Sequence, residues 1–226
     1  IPCSPLEAIA KKPSLIILQD SFTSFFRPQV IEAFIAITKH LGHNAVLLEY
    51  QPSGKVFHVR GNLQSFKNTA LANTAWLKPV HNAGIPIVGL EPATTLLWRD
   101  EYLYETGEKH RIPVMLPQEW LITQDLSSLQ LQGKWRLFPH CIEKAQAFES
   151  QKQWKCVFEE LGAELELIET ACCGMGGLFG HEREHQQQSF TIWEQHWMPH
   201  EPQEENSLVT GYSCQSQAMR VANLSL

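Results

Sequence analysis

The feature that most constrains the fold is a repeat: the two halves of the chain match without gaps at one offset of 120 residues. Leu41-Gly42 falls on Leu161-Gly162, Leu47-Leu48-Glu49 on Leu167-Ile168-Glu169, and Pro52-Ser53-Gly54 on Cys172-Cys173-Gly174. One Leu-Gly match is cheap, but agreement of strand, helix end and turn at a single offset is what duplication produces. Two unrelated α/β units are the plainer alternative. Leu15–Leu18, Ala45–Glu49 and Ile85–Leu90 read as buried strands, with helices over Pro28–Leu41 and Leu63–Val80. The second half repeats the texture: strands at Trp135–Phe138, Leu165–Ile168 and Leu208–Thr210, helices at Ile142–Leu161 and His181–Trp197. The expectation is an α/β fold of two tandem βαβ-rich repeats related by a pseudo-twofold, each a three-layer Rossmann-like sheet. Residues 1–105 are the degenerate first repeat, 106–133 a connector marked by Pro113, Pro117 and Gly133, and 134–226 the second repeat.

With 226 residues, 43% of them hydrophobic, the chain can bury a sizeable core. Its net charge of −6 argues against a nucleic-acid or anionic-membrane binder, which carries a basic surplus. No apolar run approaches the roughly 18 residues of a membrane span, and no secretory leader is visible. The opening Ile1-Pro2-Cys3 and a close at Leu226 without a terminal helix read as a piece of something longer. Six cysteines are too few and too unevenly placed for a disulfide scaffold, so the cytoplasm, or the membrane periphery in a parent protein, is the expected compartment.

The offset also sorts the cysteines. Cys141 falls on Ser21, Cys172 on Pro52, Cys173 on Ser53 and Cys214 on Thr94, so the first half has lost what the second half keeps. In a sheet of this kind, residues just past the strand ends gather along one edge. Cys141 follows Phe138, the vicinal Cys172 and Cys173 follow Ile168, and Cys214 follows Thr210; three loops should bring four thiols to one rim. Gly174, Gly176, Gly177 and Gly180 would let backbone N–H groups approach a bulky inorganic group there. Four thiolates suffice for an iron–sulfur cluster or a tetrahedral zinc.

Cys141…Cys172-Cys173-Gly174…Cys214 resembles the cysteine-rich CCG motif shared by heterodisulfide reductases and the iron–sulfur protein of glycolate oxidase. The wording Cys172-Cys173-Gly174-Met175-Gly176-Gly177-Leu178-Phe179-Gly180-His181-Glu182, with Thr210-Gly211-Tyr212-Ser213-Cys214 behind it, is similar to the C-terminal portion of large bacterial FAD-linked oxidases of the D-2-hydroxyglutarate dehydrogenase type. The resemblance runs from about Ser14 to Ala222. It implies an electron-transfer module of an FAD-dependent 2-hydroxy-acid dehydrogenase or oxidase, passing electrons from flavin to an acceptor. Its implied partners are the flavin and ferredoxin-like domains of the parent chain and that electron acceptor. It implies an iron–sulfur cluster, of 4Fe-4S type, on Cys141, Cys172, Cys173 and Cys214, with Gly174, Gly176, Gly177 and His181 lining it. FAD and further clusters would sit elsewhere in the parent, and this piece would not oxidise substrate alone. In the family the second motif ends in Cys-x-x-Cys; here Gly211 stands at the first of that pair, leaving His140 or His181 as candidates to complete a larger set. The competing reading is a structural or docking domain whose cysteines hold zinc or nothing.

Cys156 reads as an inert core thiol and Cys3 as part of a frayed start. His181-Glu182-Arg183-Glu184-His185 spells the H-E-x-x-H of zinc peptidases, but its polar surroundings and the CCG wording make it a decoy. Arg60 and the run Arg99 to Tyr102 either line the vacated first-half site or form a solvated face.

Overall fold

A computed structural model describes residues 1–177 and 179–226; Leu178 of the Gly-rich motif lies outside the described residues. The chain divides into two compact units, Ile1–Asp125 and Leu126–Leu226.

Unit 1 runs α1 (Pro5–Ala10), β1 (Leu15–Leu18), α2 (Ser21–Phe25), α3 (Pro28–His40), β2 (Ala45–Leu47), α4 (Lys55–Val59) and α5 (Leu63–Asn82). It continues with β3 (Ile87–Gly89), α6 (Pro92–Arg99), α7 (Glu101–Thr106), β4 (Val114–Met115) and α8 (Pro117–Leu121). The strands form a parallel sheet in the order β2-β1-β3-β4. β1 is buried along its whole length, as its run of Leu and Ile requires. Its Ile16 and Leu18 share a core with Val46, Phe66, Leu77 and Leu97. The segment 106–133, expected to connect the units, instead gives β4 and α8 to this one, because Val114 and Met115 pair with Ile87 and Val88. Two residues of strand inside a Pro-flanked stretch leave no periodicity to read. Cys3 is not frayed: it is buried and bridges Leu48.

Unit 2 runs β5 (Lys134–Phe138), α9 (Cys141–Gln146), α10 (Ser150–Glu160), β6 (Glu164–Leu167), α11 (Gln186–His196), β7 (Ser207–Val209) and α12 (Tyr212–Ala222). Its parallel sheet has the order β6-β5-β7. The closing helix α12 was not legible in the sequence. The helix expected over 142–161 is broken at Ala147, which leaves the helical region (φ −127°, ψ 69°). Cys156 is exposed rather than core: Val157 and Phe158 take the buried side of α10, and position 156 faces away from them.

The two sheets carry one register. Ile16 pairs with Val46 and Ile87, and 120 residues on Arg136 pairs with Glu166 and Ser207. Ile17 with Leu47 and Val88 becomes Leu137 with Leu167 and Leu208. The helix ends correspond too. Gly42 (φ +80°) and Gly162 (φ +86°) adopt the left-handed conformation that closes a helix, and behind them His43 N–H donates to Thr38 as Ala163 N–H donates to Phe158. Two tandem Rossmann-like repeats describe the fold.

Candidate functional site

The site in unit 2 is built where its strands end. Cys141 opens α9 after β5, Cys172 and Cys173 lie in the loop after β6, and Cys214 lies in the first turn of α12 after β7. The structure brings all four together. Cys141 hydrogen-bonds Cys172, and Cys173 hydrogen-bonds both Cys172 and Cys214, a chain of contacts that joins three loops. Cys141 is exposed, Cys172 half-buried, and Cys173 and Cys214 are buried, so the chain descends from surface to core. All six cysteines are free thiols.

One sulfur in this chain is favoured as the thiolate. Cys172 is held well below the ordinary thiol range because it accepts from the Cys141 and Cys173 thiols and from the backbone N–H groups of Gly174 (3.4 Å) and Gly176. Cys141 and Cys173 are pushed up: their protons are spent on Cys172, and burial disfavours their thiolates. The arrangement is a thiolate flanked by two thiols, with two backbone donors aimed at it. The thiols form an open chain. Among the described residues, no three His, Cys, Asp or Glu side chains stand arranged to hold an ion.

The loop carrying Cys172 and Cys173 is fixed from α12. Gly174 has φ +97°, and a Cβ there would meet the Ser189 carbonyl oxygen at 2.3 Å, so only glycine fits. Gln217, fully buried one turn after Cys214, donates to that same carbonyl (3.1 Å) and to Ser189 Oγ (2.9 Å). Arg220, a further turn on, donates to Gly180 O (2.6 Å) and lies 3.6 Å from Met175 Sδ. Residues 214, 217 and 220 thus share one helix face that grips the loop.

Cys141 is positioned by a buried carboxylate. Glu143, 1% exposed, accepts from Ser150 Oγ, from Trp154 Nε1 (3.2 Å) and from Thr210 Oγ1, and Thr210 in turn accepts from His140 N–H (2.9 Å). This ties α9, α10 and the end of β7 into one node. His140 caps α9, its Nδ1 accepting from Ile142 N–H (3.2 Å) while Nε2 lies 2.9 Å from Ser213 Oγ. Both ring nitrogens are therefore engaged. Sequence reasoning missed Glu143, Gln217 and Arg220. The i, i+3, i+6 spacing from Cys214 was the available signal for the last two.

Gly174 and Gly176 present N–H groups to Cys172, and Gly177 has φ +67° in the same loop. His181 does not open a long helix. It ends a 3-10 turn, Phe179–His181, and is exposed; α11 starts at Gln186. His185 stacks on Phe179 (centroids 4.4 Å apart) and pairs with Glu182 at 2.7 Å. The H-E-x-x-H run is not one α-helical face, because residues 183–185 are themselves a 3-10 turn.

In unit 1 the corresponding rim is filled by other chemistry. Asp20, at the place of His140, caps α2 through Phe22 and Thr23 N–H; Glu91, at the place of Gly211, caps α6 through Thr94 N–H (2.8 Å). The vacated turn is held by Tyr102, whose hydroxyl donates to Ser53 O (2.7 Å), and by Asn73, which donates to Pro52 O (2.9 Å). Tyr102 is therefore buried structure, while Arg99 pairs with Glu119 at 2.7 Å.

Fold and rim together define a chain of two tandem Rossmann-like units, the second with a thiol-lined edge. No protein-family model matches the chain. Over 214 residues it is 41% identical to the D-2-hydroxyglutarate dehydrogenase of Pseudomonas putida, a match covering 93% of this chain and 21% of that protein. The protein of the same name from Haemophilus influenzae is 37% identical over 236 residues, covering 98% of this chain and 23% of its own length. That of Escherichia coli is 36% identical over 224 residues, 96% and 22%. The chain is homologous to a region of these proteins and spans about one fifth of their length.

Proposed function

We propose that this chain is the electron-transfer portion of an FAD-linked 2-hydroxy-acid dehydrogenase, with Cys141, Cys172, Cys173 and Cys214 holding an iron–sulfur centre. The observation that carries the reading is the convergence of four thiols from three separate strand ends, with hydrogen bonds that lower the pKa of one of them. The donor types suit a soft, thiophilic centre: four sulfurs, backbone N–H groups facing one of them, and access from the surface through Cys141, with the open chain of thiols having to close around it. Homology to a region of D-2-hydroxyglutarate dehydrogenases gives the parent reaction class. A bound cluster, of 4Fe-4S type on four cysteines, supplies one-electron chemistry. The chain's own residues do the rest. Gly174 and Gly176 N–H groups stabilise negative sulfur, Glu143 and His140 hold Cys141 at the surface, and Gln217 and Arg220 keep the loop from rearranging. In the parent, flavin and ferredoxin-like domains would deliver electrons to this rim, and an external acceptor would remove them. The chain alone would not oxidise substrate.

The open chain of thiols favours a second reading, a structural or docking unit that takes zinc or no metal. Anaerobic reconstitution with iron and sulfide, followed by metal and sulfide analysis, separates the two. Thiolate–iron charge-transfer absorption with iron and sulfide bound, lost in C172S, is the expected result. Stoichiometric zinc without iron, or no metal at all, would sink the electron-transfer reading.

A further inference from the structure

The two units differ at one sheet edge. In unit 1 the order β2-β1-β3-β4 puts a fourth strand outside β3; in unit 2 the order β6-β5-β7 stops at β7 among the described residues. The inner ladders are the same. Ile16 N–H donates to Pro86 O (2.9 Å) as Arg136 N–H donates to Asn206 O (2.8 Å). In a parallel ladder alternate residues face opposite neighbours, so Ile87 and Gly89, like Ser207 and Val209, turn their N–H and C=O groups away from the central strand. In unit 1 those groups face β4, whose Val114 and Met115 pair with Ile87 and Val88. In unit 2 Ser207 N–H is taken by Gln203 O (2.9 Å), while Ser207 O and both Val209 groups face an edge that no described strand occupies.

The side chains carry the same difference. β3 is buried throughout, whereas Leu208 and Val209 of β7 are half-buried. In unit 1 α8 follows β4 and lays Trp120 on Phe34 and His43 (centroids 5.8 and 5.1 Å apart), and Phe34 is buried. Trp154 stands at the place of Phe34, clusters with Leu208 and is half-buried. Unit 2 thus has an open strand edge with a partly covered apolar patch beside it. Ser207-Leu208-Val209 holds neither the lysine nor the proline that closes an exposed edge to pairing.

We propose that this edge takes a parallel strand, followed by an apolar helical turn over Leu208 and Trp154, from another part of the parent polypeptide. Strand addition gives the outward backbone groups their partners. Two residues are enough, since β4 has only two. The parent is the source because unit 1 fills the same edge from its own chain. The match takes in 21% of the Pseudomonas putida protein, so most of such a polypeptide is free to provide the strand. The inference shares the parent polypeptide with the reading above and needs no metal at the thiols.

Amide hydrogen exchange at Leu208 and Val209, in the 226-residue chain and in the parent polypeptide, both metal-free, tests it. Leu208 N–H faces β5 and should exchange alike in the two. Val209 N–H should exchange at least about tenfold more slowly in the parent, as one added ladder bond would make it. Sedimentation of the 226-residue chain over a range of concentrations shows whether a second copy occupies the edge. Equal Val209 exchange in the two proteins would overturn the proposal. So would slowing of both amides together, as under a domain that only covers the edge, or Val209 protection that grows as the 226-residue chain dimerises.

Discussion

The imidazole of His140 stands over the α-carbon of Gly211, so that a β-carbon built at 211 would meet His140 Cδ2 at 2.1 Å. Gly211 has φ −116°, open to any residue; glycine is required by the ring and not by the backbone. Any side chain at 211 is therefore sterically exclusive with the His140 ring in its present place. G211A should destabilise unit 2 by about 1–3 kcal/mol through overpacking. In an H140A background the same change should cost well under half of that. A double-mutant cycle by denaturant unfolding checks it, and additive effects would refute the exclusion.

The equivalent pair in unit 1, Asp20 and Glu91, makes stability depend on pH. The Glu91 carboxyl is pushed up to about 7, first by burial and then by repulsion from Asp20, whose own carboxyl burial also raises. Its folded-state value lies above its ordinary 4.5, so its contribution is full below that value and is lost as pH rises through 7. E91Q keeps an acceptor for Thr94 N–H and removes the charge. Unfolding between about pH 5 and 8 should show a falling stability that E91Q flattens, an effect on the order of 3 kcal/mol.

Thiol reactivity should follow hydrogen bonding rather than exposure. In metal-free protein near neutral pH, iodoacetamide should modify Cys172 before the more exposed Cys141, because the Cys141 and Cys173 protons stabilise the Cys172 thiolate. C141S should slow the Cys172 reaction. Peptide mapping of the alkylated protein gives the order, and Cys141 reacting first would show that the charge sits elsewhere.

Arg220 is the outermost anchor of the Gly-rich loop. R220M removes both the donor to Gly180 O and the guanidinium that lies 5.2 Å from the Phe190 ring centroid. It should cost about 1–3 kcal/mol. Faster amide hydrogen exchange should be confined to residues 174–180 and the turn after them.

The sheet was legible because its strands are short apolar runs with turn residues at both ends, and because each was written twice. Reading failed at β4, which has two residues and no counterpart strand among the described residues of the second unit, and at α12, which is too polar to stand out although α6 is its counterpart. The four cysteines were legible as a set since the offset placed each beside a strand end. Their scaffold was not. Glu143 looks like any helix-surface acid until α10 folds back and gives it Ser150 and Trp154 as donors, and the helical spacing of Gln217 from Cys214 carries a signal only once α12 is known to be a helix. Cys156 was misassigned for the opposite reason. Cysteine is usually a buried residue, and only the phase of α10, set by Val157 and Phe158, turns it outward.

Identical strand register in the two units means that every rim position of one has a backbone address in the other. The rim is thus a transferable cassette on an interchangeable chassis. Point substitutions D20H, S21C, P52C, S53C, E91G and T94C would write the second unit's thiols and caps into the first, and α4 (Lys55–Val59), which stands where the second unit has its Gly-rich loop, is the one segment left to redesign. A single chain with two such edges would offer two centres on one polypeptide. The spacing between them would be set by how the units assemble rather than by linker engineering.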